Sequence, residues 1–167
     1  MELDAGEGTR YYVYAQGALA GIYEDATSAV AQAQEENGIV LDTAQRYIWE
    51  SSNTPDRASI SAQDLPEAIA QASLDLTALN EALKGQGTVI DMTGCTLEQI
   101  LYEVGAQRSV ITQGENGEVK VILGFDAYNT ILYDPDTQQT EYYGMQDSTD
   151  AFQANGNVFL CYVEDNA

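Results

Sequence analysis

The chain has 167 residues, 44% of them hydrophobic and 20% charged, which suits a globular domain with a small added module and excludes a disordered or collagen-like chain. Its 27 acidic and 6 basic residues give a net charge of −21, too few cations to replace the counterions of phosphates, so nucleic acid is excluded as a partner, attachment to anionic lipid is disfavoured, and no apolar run is long enough for this segment to insert in a membrane. It has no histidine and only two cysteines, Cys95 and Cys161, which removes imidazole-dependent catalysis, histidine metal sites and a disulfide scaffold.

Residues 1–9 are polar, with Gly6 and Gly8, and read as a disordered lead-in. Tyr11–Tyr14 is aromatic and β-branched and predicts a strand. Gly17 breaks it, and Leu19–Tyr23 returns as the second arm of a hairpin. Ala26, Ala29, Val30 and Ala33 recur at helical spacing, so a helix runs from Asp25 to Glu36 and stops at Asn37-Gly38, with Gly as the left-handed cap. Ile39–Leu41 and Tyr47–Trp49 complete a ββαββ module. The turn-forming residues that follow Ser51 place a boundary there. The reading assigns 1–52 to the lead-in and module, 53–63 to a linker and 64–167 to a larger domain.

That domain opens with a helix at Asp64-Leu65-Pro66. Leu76, Leu79 and Leu83 line the next helix, and Thr88–Asp91 is a short strand. Thr96 and Gln99 form a capping box ahead of the stripe Leu97, Ile100, Leu101 and Val104. Val110–Thr112 and Val119–Phe125 are strands joined at Glu115-Asn116-Gly117, with Asn-Gly at positive φ. Thr130–Tyr133 and Thr140–Tyr143 follow, joined at Asp134-Pro135-Asp136, which reads as a β-turn rather than a calcium loop. Asp147 or Ser148 caps a helix reaching Ala154, and Asn157–Val163 is the last strand. Helices first and an antiparallel sheet after them is α+β order.

Chemistry is sparse in this pattern. Cys95 precedes a helix, where the partial positive charge lowers a thiol pKa, but no imidazole exists to accept its proton, so it reads as a small buried side chain. Whether Cys95 and Cys161 pair is left open, because sequence does not fix their distance. Eleven tyrosines suit half-exposed sheet surfaces. Tyr11, Tyr12, Tyr14, Tyr142 and Tyr143 are the candidates for a binding face, with strand packing as the plainer account. No motif calls for a metal or cofactor.

The stretch Leu65–Val163 resembles a known family. Leu76–Leu83, a Gly and a strand come first, then Leu97–Leu101 and Gln107-Arg108-Ser109-Val110. Val121-Ile122-Leu123-Gly124-Phe125-Asp126 and Ile131-Leu132-Tyr133-Asp134-Pro135 close the series. In that order they resemble the papain-like cysteine peptidases of the bacteriocin-leader type (family C, number thirty-nine) and related domains in surface proteins of clostridial gut bacteria. The resemblance implies a papain-like fold and an extracellular or cell-surface fragment of a larger chain. Counting back six from Gly124, it puts the family's catalytic His at Glu118 and its orienting Asp at Asp134. The nucleophile belongs on an N-terminal helix, yet residues 1–63 contain no Cys. The expectation is a catalytically degenerate, non-enzymatic module with Glu118 and Asp134 as vestigial positions. Tyr142 and Tyr143 are its candidate binding residues, and a protein or extended peptide is its ligand. Glu118 and Asp134 side by side would repel and raise one carboxyl pKa. The alternative from another class is an acidic decoy that imitates nucleic acid and inhibits a nucleic-acid-binding partner. Against it, the charge is spread along the chain, 9 acidic residues in 1–52 and 18 in 53–167, rather than gathered in one run.

Overall fold

A computed structural model of the chain describes residues 10–51, 54–71, 73–114 and 116–165. The lead-in expected over residues 1–9 lies outside the described residues. The architecture is α+β with antiparallel sheets, and the chain divides into two units, residues 1–53 and 54–167. No helix among the described residues is long and apolar enough to cross a membrane.

In the first unit, β1 (Tyr11–Ala15) and β2 (Ala18–Tyr23) form a hairpin. Helix α1 (Ala26–Glu36) follows, then β3 (Ile39–Asp42) and β4 (Tyr47–Glu50), in the antiparallel order β2-β1-β3-β4. The Asp25 carboxylate accepts the Ser28 N–H at 2.8 Å and so starts α1. Ala26, Ala29, Val30 and Ala33 are buried, as the spacing predicts. Val13 lies opposite Val40, and Val40 opposite Trp49, so three buried side chains line up across the sheet. The alternate residues form the other face: Tyr12 opposite Ile22 and Leu41, Tyr14 opposite Leu19, and Tyr47 opposite Leu41. Tyr14, Leu19, Ile22 and Tyr47 are exposed there.

The end of α1 departs from expectation. Asn37, not Gly38, takes the left-handed conformation (φ 58°, ψ 42°). Asn is the residue after Gly that tolerates this region best. Gly38 is needed for a different reason: a Cβ there would collide with the carbonyl oxygen of Tyr14. Beyond it, Asp42 is buried and accepts both the backbone N–H and the Nε of Arg46 at 2.8 Å, which fixes the β3–β4 turn.

The second unit contains β5 (Ala58–Ser59), a 3-10 turn (Ala62–Asp64), α2 (Glu67–Ala70), α3 (Leu76–Ala82) and β6 (Gly87–Asp91). It continues with α4 (Leu97–Gly105), β7 (Val110–Gln113), β8 (Val119–Phe125) and β9 (Asn129–Asp134). β10 (Gln139–Gly144), α5 (Met145–Ala154) and β11 (Phe159–Glu164) complete it. Six strands lie in the order β10-β9-β8-β7-β11-β6, every pair antiparallel. β5 is the seventh, pairing with Gly124 and Phe125 at the far end of β8. Residues 53–63 were expected as a linker, yet Ala58–Ser59 is part of this sheet. Gly124 permits it, because a Cβ there would strike the Ala58 carbonyl oxygen.

Alternation gives the sheet two packed faces. Val89, Ile111, Val121, Leu123, Tyr133, Leu160 and Tyr162 join Ile69, Leu79 and Leu83 in one core cluster with α2 and α3. The opposite face carries Ile90, Cys161, Val110, Ile122 and Leu132, with α4 against β8 and α5 against β9. Burying each large aliphatic side chain here contributes about 1.5–3 kcal/mol. Phe152 of α5 meets Phe159 edge-on, centroids 5.8 Å apart.

The capping box of α4 is present in both directions, Gln99 N–H to Thr96 Oγ1 and Thr96 N–H to Gln99 Oε1. One local expectation holds at Gly117, and one fails at α5. Gly117 has positive φ (83°), as expected, and its N–H closes the turn onto the Gly114 carbonyl. Helix α5 begins at Met145, with Gly144 as N-cap and no side-chain cap. Ser148 is buried and bonded elsewhere, 2.7 Å from Thr130 Oγ1 and 3.3 Å from the Tyr143 carbonyl oxygen.

Candidate functional site

Glu118 and Asp134 stand at the open ends of β8 and β9. Glu118 is exposed and folded back on its own turn, its Oε1 accepting the Asn116 N–H at 2.9 Å. Asp134 closes β9 and accepts the Asp136 N–H at 2.9 Å, the turn geometry that the sequence suggests. The ladder pairs Val121 with Tyr133, so the residue opposite Asp134 is Lys120. Lys120 Nζ lies 3.4 Å from Asp134 Oδ2 and 3.0 Å from Glu141 Oε2. Burial works against the Lys120 charge, but the hydrogen bond and charge of Glu141, then Asp134, hold its pKa above the ordinary value. The expected carboxylate repulsion does not act at Asp134. Its carboxyl is held below the ordinary value, first by the Asp136 N–H and, against some burial, by the Lys120 ammonium.

Tyr142 and Tyr143 are consecutive on β10 and point to opposite faces. Tyr142 is 66% exposed, whereas Tyr143 is half-buried and its carbonyl oxygen accepts from Thr130 and Ser148. Tyr11, Tyr12 and Tyr14 belong to the other unit, and Tyr11 is buried on the face opposite Tyr12. The five tyrosines therefore do not share one surface of a single sheet.

The cysteines lie in the core of the second unit. Neither is in a disulfide, and both are fully buried. Burial, then the negative charge of Glu103, pushes the Cys161 thiol well above its ordinary value. Glu103 is not among the residues of the α4 stripe that the sequence predicts, Leu97, Ile100, Leu101 and Val104. Glu103 is instead fully buried, 2.9 Å from Arg108 Nη1 and 3.5 Å from Cys161 Sγ. Its second oxygen, Oε2, has no hydrogen-bond partner. Burial dominates, and the Glu103 carboxyl rises to about 7 despite Arg108. Arg108 also lines a cleft of about 360 Å³ with Asp64, Leu65, Gln107, Tyr162 and Glu164.

The two outer strands of the large sheet are finished differently. On β6, the Asn80 side chain of α3 acts as a strand: Oδ1 accepts the Val89 N–H at 2.7 Å and Nδ2 donates to the Val89 carbonyl at 3.1 Å. On β10, no strand pairs with the outer side among the described residues. Gln139–Tyr142 are all exposed.

A scan against protein-family models finds no match, and a search of curated proteins finds none. Among solved structures, the chain is similar to a crystal structure from Bacillus anthracis provisionally assigned as a C39-like peptidase. Identity is 17% and the TM-score 0.46. The match spans 53% of this chain and 56% of that one, so it covers little more than half of either.

Proposed function

We propose that this chain is a papain-like, peptidase-related module of an extracellular bacterial protein that has lost catalysis and binds an extended peptide. One observation carries the loss of catalysis. The only two thiols are wholly buried, the Cys161 thiol is pushed further from ionisation, and no imidazole exists to take a proton from either. The family-like ordering of residues supports the papain-like reading. Gly124-Phe125-Asp126 ends β8 and Asp134-Pro135 ends the neighbouring β9, the two segments on which the resemblance rests. The resemblance puts the family's imidazole at Glu118, and the residue that faces Asp134 in this ladder is Lys120, a cation that orients no nucleophile. An exposed sheet edge offers main-chain hydrogen bonds to an extended chain, which supports the peptide reading.

The test is hydrolysis of a mixed peptide library by the purified chain, alongside a cysteine-directed peptidase probe. No cleavage and no labelling are expected, and Glu118→His leaves both at background. Cleavage that Cys95→Ala abolishes would refute the proposal.

A further inference from the structure

We infer that β10 is the strand on which the peptide docks, and that the peptide alternates cationic and apolar side chains; this rests on the extended-peptide reading above. The phase of the ladder says which groups are offered. Met145 N–H donates to the Tyr128 carbonyl at 2.7 Å, one step beyond the Gly144–Asn129 pair. Hydrogen-bonded pairs alternate along an antiparallel ladder, so Gln139, Glu141 and Tyr143 turn their amides toward β9. Thr140, Tyr142 and Gly144 turn theirs outward. The other edge is less open, because Asn80 takes both main-chain groups of Val89 and the Gly87 N–H donates to the Leu83 carbonyl.

Charge selects the occupant. Asp134 lies across from Gln139, and Glu141 lies on the same face of the sheet. Asp147, on the first turn of α5, has Oδ2 3.5 Å from where a Cβ on Gly144 would sit. Asp134 and Glu141 flank β10 on the α5 side with Lys120 between them, whereas Asp147 stands at the Gly144 end of the strand, on the side that Gly144 shares with Tyr142. The opposite side of β10 presents Thr140 and the exposed ring of Tyr142, beside Ile131. A strand laid against this edge therefore meets acid on one face and an aromatic ring on the other. Cationic side chains at alternate positions, with apolar ones between, answer both faces. A second copy of the chain would bring the same carboxylates together at a net charge of −21 each.

The test uses the full chain and blocked hexapeptides alternating valine with lysine, serine or glutamate, read by calorimetry and by amide shifts of β10. The lysine peptide binds, weakens as salt rises, and binds at least about tenfold more tightly than the glutamate peptide. Thr140→Pro removes an outward N–H without touching the β9 ladder, so it weakens binding about tenfold while thermal melting is unchanged. Should Thr140→Pro fail to fold, a lysine peptide N-methylated at alternate residues serves instead, and binding as tight as the parent's overturns strand pairing. Equal binding of the serine or glutamate peptide at β10 overturns the cationic chemistry and leaves the extended-peptide reading standing. Binding that shifts amides elsewhere but not in β10 overturns the site. No binding by any peptide overturns both readings. Concentration-dependent dimerisation that Thr140→Pro abolishes overturns the occupant in favour of a second copy.

Discussion

The large sheet carries two carboxylate–cation clusters on its α4/α5 face, built from the same chemistry and behaving in opposite ways. At Glu103–Arg108 both partners are sealed in the core, and the Glu103 carboxyl rises to about 7 although a guanidinium lies 2.9 Å away. At Lys120–Asp134–Glu141 the carboxylates keep contact with water, and Asp134 falls below its ordinary value. Water decides the sign. Removing it costs the carboxylate more than one cation returns when an oxygen such as Glu103 Oε2 is left without a donor. A backbone N–H and one ammonium suffice where the carboxylates themselves still reach solvent.

The largest expected effect tests the sealed pair. Arg108→Leu leaves Glu103 buried without its cation, and urea unfolding at pH 8 should show a loss of about 3–5 kcal/mol. A loss below about 1 kcal/mol would mean that water already reaches Glu103, and the contrast would collapse.

The pH dependence comes next. The folded chain holds the Glu103 proton up to about pH 7, whereas an unfolded chain releases it near the ordinary 4.5. The folded state binds more protons in that window, so this group's contribution to stability falls as pH rises from about 4.5 to 7 and is flat above. The full decline is on the order of 3 kcal/mol. Glu103→Gln should flatten it, and an unchanged slope would assign the titration to another group.

At the exposed cluster the effect is smaller and opposite in slope. Asp134 has a lowered carboxyl, so its contribution is present above the ordinary 3.8 and is lost as pH falls below that value. Lys120→Met keeps the aliphatic stem and should cost about 1 kcal/mol at pH 7, shrinking as the pH is lowered through the range where Asp134 protonates. The smallest change is expected for Asp134→Asn, which keeps an acceptor for the Asp136 N–H: about 0.5 kcal/mol or less by thermal melting at pH 7.

The sequence announces what depends on short-range pattern. Helix α4 carries its start signal in Thr96 and Gln99, and the hairpin strands carry theirs in alternation. What it hides depends on a distant partner. Ala58–Ser59 has no strand pattern of its own; it pairs because Gly124, sixty-odd residues on, has no side chain to keep it away. Glu103 interrupts an apolar stripe, and helical periodicity alone assigns such a residue to solvent; only the arrival of Arg108 and Cys161 makes its burial tolerable. Asp134 was legible as a turn residue, but its facing partner depends on the β8–β9 register, which includes a bulge between Ile122 and Gly124. Tyr142 and Tyr143 were legible as strand residues, and their adjacency concealed that a strand sends neighbours to opposite sides.

The burial of both sulfurs gives the molecule a built-in stopwatch. Cys95 and Cys161 are the chain's only thiols, and both belong to the unit of residues 54–167. An aromatic disulfide reagent can colour only when that unit opens, so the rate of colour development under native conditions times its opening and is blind to events in residues 1–53. Set against circular dichroism, which registers both sheets, one reagent and one spectrum separate the lifetimes of the two units without a label, a truncation or a substitution.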